Sequence, residues 1–124
     1  MTSSPAFESH AVPSGGEGLD PWPITTEKLE GSQMFGRVLW RSGDGTRAMG
    51  VWHATPGAIR GTFITDEVSY VVEGRLTVVT AGAAPREVVA GDVMVMAAGL
   101  TVEWQIHEPM TKLWNVYRAD GLPL

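Results

Sequence analysis

Along the chain, short apolar runs alternate with polar positions, and glycine or proline closes almost every run. Between residues 101 and 107, Val102, Trp104 and Ile106 alternate with Thr101, Glu103, Gln105 and His107, which is the period-two pattern of a half-buried strand. Val93-Met94-Val95-Met96 is a continuous apolar run bounded by Gly91 and Gly99. No stretch sustains a 3.6-residue apolar period over three turns. The pattern predicts strands at 24–29, 34–41, 47–54, 58–64, 67–72, 76–80, 86–89, 92–96, 101–107 and 110–118. It places turns at Ser42-Gly43-Asp44-Gly45, Pro56-Gly57, Glu73-Gly74, Ala81-Gly82, Ala90-Gly91, Ala98-Gly99 and Glu108-Pro109. Many short strands separated by turn residues point to an all-β sandwich or barrel.

Composition narrows this picture. A chain of 124 residues with 44% hydrophobic and 19% charged residues is sized for one domain with a buried core, and 15 Gly with 8 Pro suit many turns. The net charge of -5 and the scattering of nine basic residues argue against nucleic acid as a partner. With no cysteine, disulfides, thiolate metal sites and cysteine nucleophiles are excluded. No apolar stretch approaches membrane-spanning length, and the first residues lack the basic start and apolar centre of a secretory signal, so a cytoplasmic location is expected. Residues 1–23 are rich in Ser, Pro, Gly and acidic residues and read as an arm preceding a barrel at 24–124. Trp22 within Asp20-Pro21-Trp22-Pro23 suggests that the arm docks on the barrel or on a partner subunit.

Two glycine-anchored segments carry the most specific signal. The first is Glu67-Val68-Ser69-Tyr70-Val71-Val72-Glu73-Gly74, and the second runs from Gly91-Asp92 to Gly99. Here the chain resembles the cupin superfamily: Glu67 and Gly74 match the end of its first motif, and Gly91, Asp92 and Gly99 match its second, with Ala97 where proline is usual. One branch is closer. Gly50-Val51-Trp52, Thr55-Pro56-Gly57, Glu67 with Tyr70-Val71 and Gly74, Gly91-Asp92, Gly99, Trp104, and Lys112 with Trp114 follow in the order seen in small cupins. Those cupins are related to the C-terminal barrel of (S)-ureidoglycine aminohydrolase and to the ethanolamine-utilisation cupin. The resemblance implies a double-stranded β-helix, the RmlC-like jelly-roll barrel, and a homodimer.

It also implies a metal held by three histidines and one carboxylate. Counted from Glu67, the histidine positions fall at Gly61 and Phe63, or at Arg60 and Thr62 with the alternative spacer, and near Val102. Only Glu67 is a donor, and the shifted ligand set of the ureidoglycine enzyme falls on Gly61, Phe63 and Glu67. No metal and no cofactor is therefore expected at the family position. Of the three histidines, His10 lies in the arm, His53 follows Trp52, and His107 faces outward if Trp104 faces inward.

Alternation gives an inward set of Phe63, Glu67, Val102 and Trp104 with either Ser69 or Tyr70, and puts Lys112 and Tyr117 on opposite faces of the last strand. A largely apolar cup holding one carboxylate suits a small-molecule ligand. In the catalytic reading Glu67 is a general acid or base and Lys112 holds a substrate carboxylate, while Phe63, Tyr70 and Trp104 form the binding wall. The expected function is small-molecule binding or metal-independent catalysis. One alternative is a non-catalytic dimeric module; another is a metal enzyme using non-family ligands such as His53.

Overall fold

The computed structural model describes residues 6–22 and 27–124. Nine strands follow one another among them: β1 (Asp20–Pro21), β2 (Glu27–Glu30), β3 (Met34–Arg41), β4 (Arg47–Ala54), β5 (Gly57–Thr62), β6 (Asp66–Val79), β7 (Arg86–Val89), β8 (Val93–Met96) and β9 (Thr101–Tyr117). The strand expected at 24–29 begins outside the described residues, and so does the expected boundary between arm and barrel. No helix among the described residues is long and apolar enough to cross a membrane.

All pairings are antiparallel, and two long strands tie two layers together. In one layer β1, β3 and β4 lead to the second half of β9, which pairs the first half of β6, which in turn pairs β8. In the other, β2 and β5 lead to the first half of β9, then the second half of β6 and β7. The result is a jelly-roll barrel closed around Trp52, Val71, Leu76, Val102, Ile106 and Met110.

The expected turns at Glu73-Gly74 and Glu108-Pro109 are instead bends within continuous strands. The two predicted strands on either side of each are therefore one. Gly74 has φ 101 and lies so close to the partner strand that an added Cβ would sit 2.5 Å from the Met110 Cα and the Pro109 carbonyl oxygen. The register slips across Glu73, Gly74 and Arg75. The slip changes which residues face inward: Glu67, Ser69 and Val71 are buried before the bend, and Leu76 after it. Pro109 turns the same corner on β9, where its missing N–H removes no ladder bond.

Residues 20–22 cover the open edge of β3. Asp20 and Pro21 pair with Gly36 and Phe35, and the Trp22 N–H donates to the Met34 carbonyl at 3.0 Å. The Trp22 ring lies over Gly36, where any side chain would collide with it, and stands 5.8 Å from the Trp114 ring. Upstream, the Gly15 N–H donates to Glu73 Oε1 at 2.7 Å, and Arg37 bonds the Gly18 carbonyl. Beneath this stretch lies His53, 3% exposed, with Gly16 packed on its ring. His53 Nδ1 is 2.8 Å from Thr111 Oγ1, whose hydroxyl donates to Glu73 Oε1 at 2.7 Å. Because the hydroxyl proton goes to the carboxylate, the Thr111 oxygen accepts from the His53 Nδ1–H.

Two expectations follow for this architecture. Gly74→Ala, which meets both an unfavourable φ and a backbone collision, should lower stability by about 2–4 kcal/mol. Gly91→Ala has a φ of 97 but open space around it, and should cost only about 1–2 kcal/mol; urea unfolding of the two variants checks the order. Burial holds His53 below its ordinary value of 6.5, against a smaller opposing pull from Glu73. Hydrogen bonds from Thr111 and Gly15 hold Glu73 below 4.5. Both groups bind protons more readily when the contact is broken, so attachment is complete above pH 6.5 and weakens as pH falls, first through His53 and then through Glu73. Proteolysis at residues 6–20 should accelerate between pH 7.5 and about 5; a rate that stays constant or falls would contradict the arrangement.

Candidate functional site

The barrel encloses a cup of about 630 Å³ that is open at one end. Trp52 on β4, Phe63 after β5, and Val102, Trp104 and Trp114 on β9 form its walls together with Trp22 and Leu122. Strand alternation explains the set: Trp52 faces inward with Ala54, and Val102, Trp104, Ile106, Met110, Lys112 and Trp114 are the even, buried positions of β9. Trp52 and Trp104 meet edge to face with ring centroids 5.5 Å apart, and Phe63 lies 6.2 Å from Trp104.

Within this apolar lining sits one ion pair. Lys112 Nζ is 2.5 Å from Glu67 Oε2, with the two side chains 6% and 10% exposed. The Ser69 hydroxyl donates to the same carboxylate oxygen at 2.5 Å. The ammonium also stands over two aromatic faces, 4.9 Å from the Trp52 centroid and 4.5 Å from that of Trp104. Glu67 and Ser69 are two apart on β6 and so share its inner face, while Lys112 reaches them across the β6–β9 ladder. The indole N–H groups of Trp104 and Trp114 are buried with no hydrogen-bond partner, leaving two donors unused beside the cup.

The structure brings together Glu67, Lys112, Phe63 and Trp104 around one space. It corrects the place given to Tyr70. Inward-facing Glu67 forces Ser69 inward and Tyr70 outward, and Tyr70 is 46% exposed on the outer surface. His107 also faces out and bonds Thr77 at 2.7 Å. His53 lies on the outer face of β4, beneath the residues before β1, so it does not join Glu67 in a shared ligand set. Sequence reasoning missed the Glu73–Thr111–His53 chain because Glu73 read as a turn residue. Counting by two from Val71 puts Glu73 on the inner face; the slip in register between Val71 and Glu73 turns it outward, and no local signal encodes that slip.

The residues at the family's metal position do not fit a transition metal. Gly61, Phe63 and Val102 offer no donor, and the one carboxylate present is engaged by an ammonium. Among the described residues no group of three or more His, Cys, Asp or Glu is placed to hold a metal ion. A second depression, of about 520 Å³, lies at the β3–β4 turn. Its Asp44 is spent on Ser42 and Thr46 within that turn, which holds the carboxyl down at about 2.

Comparison with known proteins places this architecture. No curated protein matches the chain. Among solved structures it is similar to a protein described as ethanolamine utilization protein q from Salmonella typhimurium, at 26% identity and a TM-score of 0.61, covering 70% of this chain and 71% of that one. A Rhizobium leguminosarum protein of unknown function is likewise 26% identical, with a TM-score of 0.61 over 68% of this chain and 80% of that one. The EutQ protein of Clostridium difficile shares the fold at 16% identity, with a TM-score of 0.63 over 76% and 78% of the two chains. Residues 41–114, which hold both glycine-anchored segments and the Glu67–Lys112 pair, match the family described as EutQ-like cupin domain, and the chain belongs to that family.

Proposed function

We propose that the barrel is a binding site for a small, flat, largely apolar molecule, with the Glu67–Lys112 pair as its polar centre and no tightly bound metal. The observation that carries this reading is an open cup of about 630 Å³ in which a mutually neutralising, buried charge pair sits under two tryptophan faces. That volume falls within the ~300–1,000 Å³ of small-molecule sites, which are typically apolar with a few placed polar groups. A cup filled by Phe63 and Trp104 would have supported a purely structural barrel, whereas here both rings stand in the wall.

The pair itself argues for function over stability. Desolvating two charges offsets most of their attraction, so an apolar pair of similar volume usually serves a fold as well or better. The aminohydrolase chemistry of the ureidoglycine branch is not proposed, because Gly61 stands where that chemistry places a carboxylate, and Phe63 and Glu67 where it places imidazoles. The name of the Salmonella relative suggests ethanolamine metabolism. Ethanolamine as a direct ligand fits the cup poorly, since the cation position between Trp52, Trp104 and Glu67 is filled by the chain's own ammonium.

A second copy of the chain is the proposed partner. The outer face of β6 and β8 exposes Val68, Tyr70, Val72, Val93 and Val95, with Val68 opposite Val95 and Tyr70 opposite Val93. A contiguous apolar strip of this kind is a recognised mark of an interaction surface.

Three outcomes are expected. Titration with small aromatic amides and carbonyl compounds should quench tryptophan fluorescence saturably in at least one case; a panel giving no saturable change would contradict the binding reading. Lys112→Met should lower stability by about 3–5 kcal/mol by stranding the Glu67 carboxylate, and Glu67→Leu added to it should recover most of that loss. Sedimentation should give a dimer that Val95→Asp converts to monomer without loss of strand content, whereas a monomeric wild type would remove the dimer from the account.

A further inference from the structure

We infer that Lys112 is a carbonyl-capturing amine, forming a reversible imine with an aldehyde or ketone bound in the cup. The inference rests on the pocket reading above and names the substrate class for it. Three features meet at one atom. Lys112 Nζ is a primary amine within the wall of an open apolar cavity. It touches a carboxylate at 2.5 Å, close enough for direct proton exchange. It stands over Trp52 and Trp104, whose π faces favour a cation at that point.

The chemistry balances with these groups alone. Glu67 takes a proton from the Lys112 ammonium, and the freed nitrogen lone pair attacks the carbonyl carbon, forming the C–N bond. One proton passes from that nitrogen to the former carbonyl oxygen, giving the neutral carbinolamine. Glu67 then returns its proton to the hydroxyl, which leaves as water while the nitrogen lone pair closes the C=N bond. The product is an iminium cation beside the regenerated carboxylate, so the charge at the nitrogen is +1 before and after. The carboxylate and tryptophan faces that hold the ammonium hold the iminium equally well, and the apolar walls suit the carbonyl compound's carbon skeleton.

The chain provides its own control, because Lys28 is its only other lysine. Full-length protein is treated with benzaldehyde and cyanoborohydride, which reduces an iminium to a stable benzylamine, and the modified sites are mapped by mass spectrometry. Lys112 should be labelled faster than Lys28 and the N-terminal amine by roughly tenfold or more, as expected when binding raises the local carbonyl concentration. Benzyl alcohol, which has the same shape and no electrophilic carbon, should slow labelling at Lys112 alone. Lys112→Arg keeps a cation beside Glu67, so the fold should persist, and it should abolish labelling in the cavity. Labelling at Lys112 no faster than at Lys28, with benzyl alcohol still binding, would overturn the carbonyl chemistry and leave the pocket reading intact. Failure of both aldehyde and alcohol to perturb the tryptophan fluorescence would overturn both.

Discussion

The site turns on one constraint: an ammonium and a carboxylate are held in contact inside an apolar barrel, with water largely excluded from both. Neither charge is tolerable there without the other. Lys112 is fixed by its place on the central strand β9, by Glu67 Oε2, and by the two tryptophan faces; Glu67 is fixed in turn by the Ser69 hydroxyl. Each side chain therefore has a determined rotamer, and the cup has a polar centre of defined direction. In the wider cupin pattern, imidazoles converge on a metal in this region. Here an ammonium supplies the positive charge, and the flanking positions are Gly61, Phe63 and Val102.

That arrangement needs two strands long enough to serve both layers. β6 brings Glu67 and Ser69 to the cup before its bend and Leu76 to the core after it; β9 brings Trp104 from one half and Lys112 and Trp114 from the other. Gly74 makes the bend feasible, because its positive φ and the close passage of Pro109 and Met110 leave no room for a Cβ. The same bend places Glu73 on the outer surface, where with Thr111 and His53 it receives the residues before β1. Inner and outer faces of the same two strands thus carry separate polar systems, one centred on Glu67 and one on Glu73.

Much of this was legible from the chain because side-chain alternation is a local rule. The inward set of Phe63, Glu67, Val102 and Trp104, the outward His107, and the opposed faces of Lys112 and Tyr117 all follow from counting by two along uninterrupted strands. What could not be read is what alternation does not encode. Gly74 and Pro109 have the composition of turns, yet both act as bends inside strands, since only the neighbouring strand determines whether a glycine ends a ladder or kinks it. The contact between Lys112 and Glu67 depends on the register of β6 against β9, a non-local property. Alternation leaves Ser69 or Tyr70 as the inward residue until the facing of Glu67 is known, and burial of Glu67 puts Ser69 inside and Tyr70 outside.

The most direct measurement is the NMR signal of the Lys112 side-chain ammonium, read by ¹⁵N–¹H correlation at neutral pH. The account predicts a resolved ammonium resonance whose protons exchange slowly with water and show close contacts to the indole protons of Trp52 and Trp104. A Lys112 signal exchanging as fast as that of a solvated lysine, with no indole contacts, would show that the buried pair does not exist and would remove the polar centre on which the site is built.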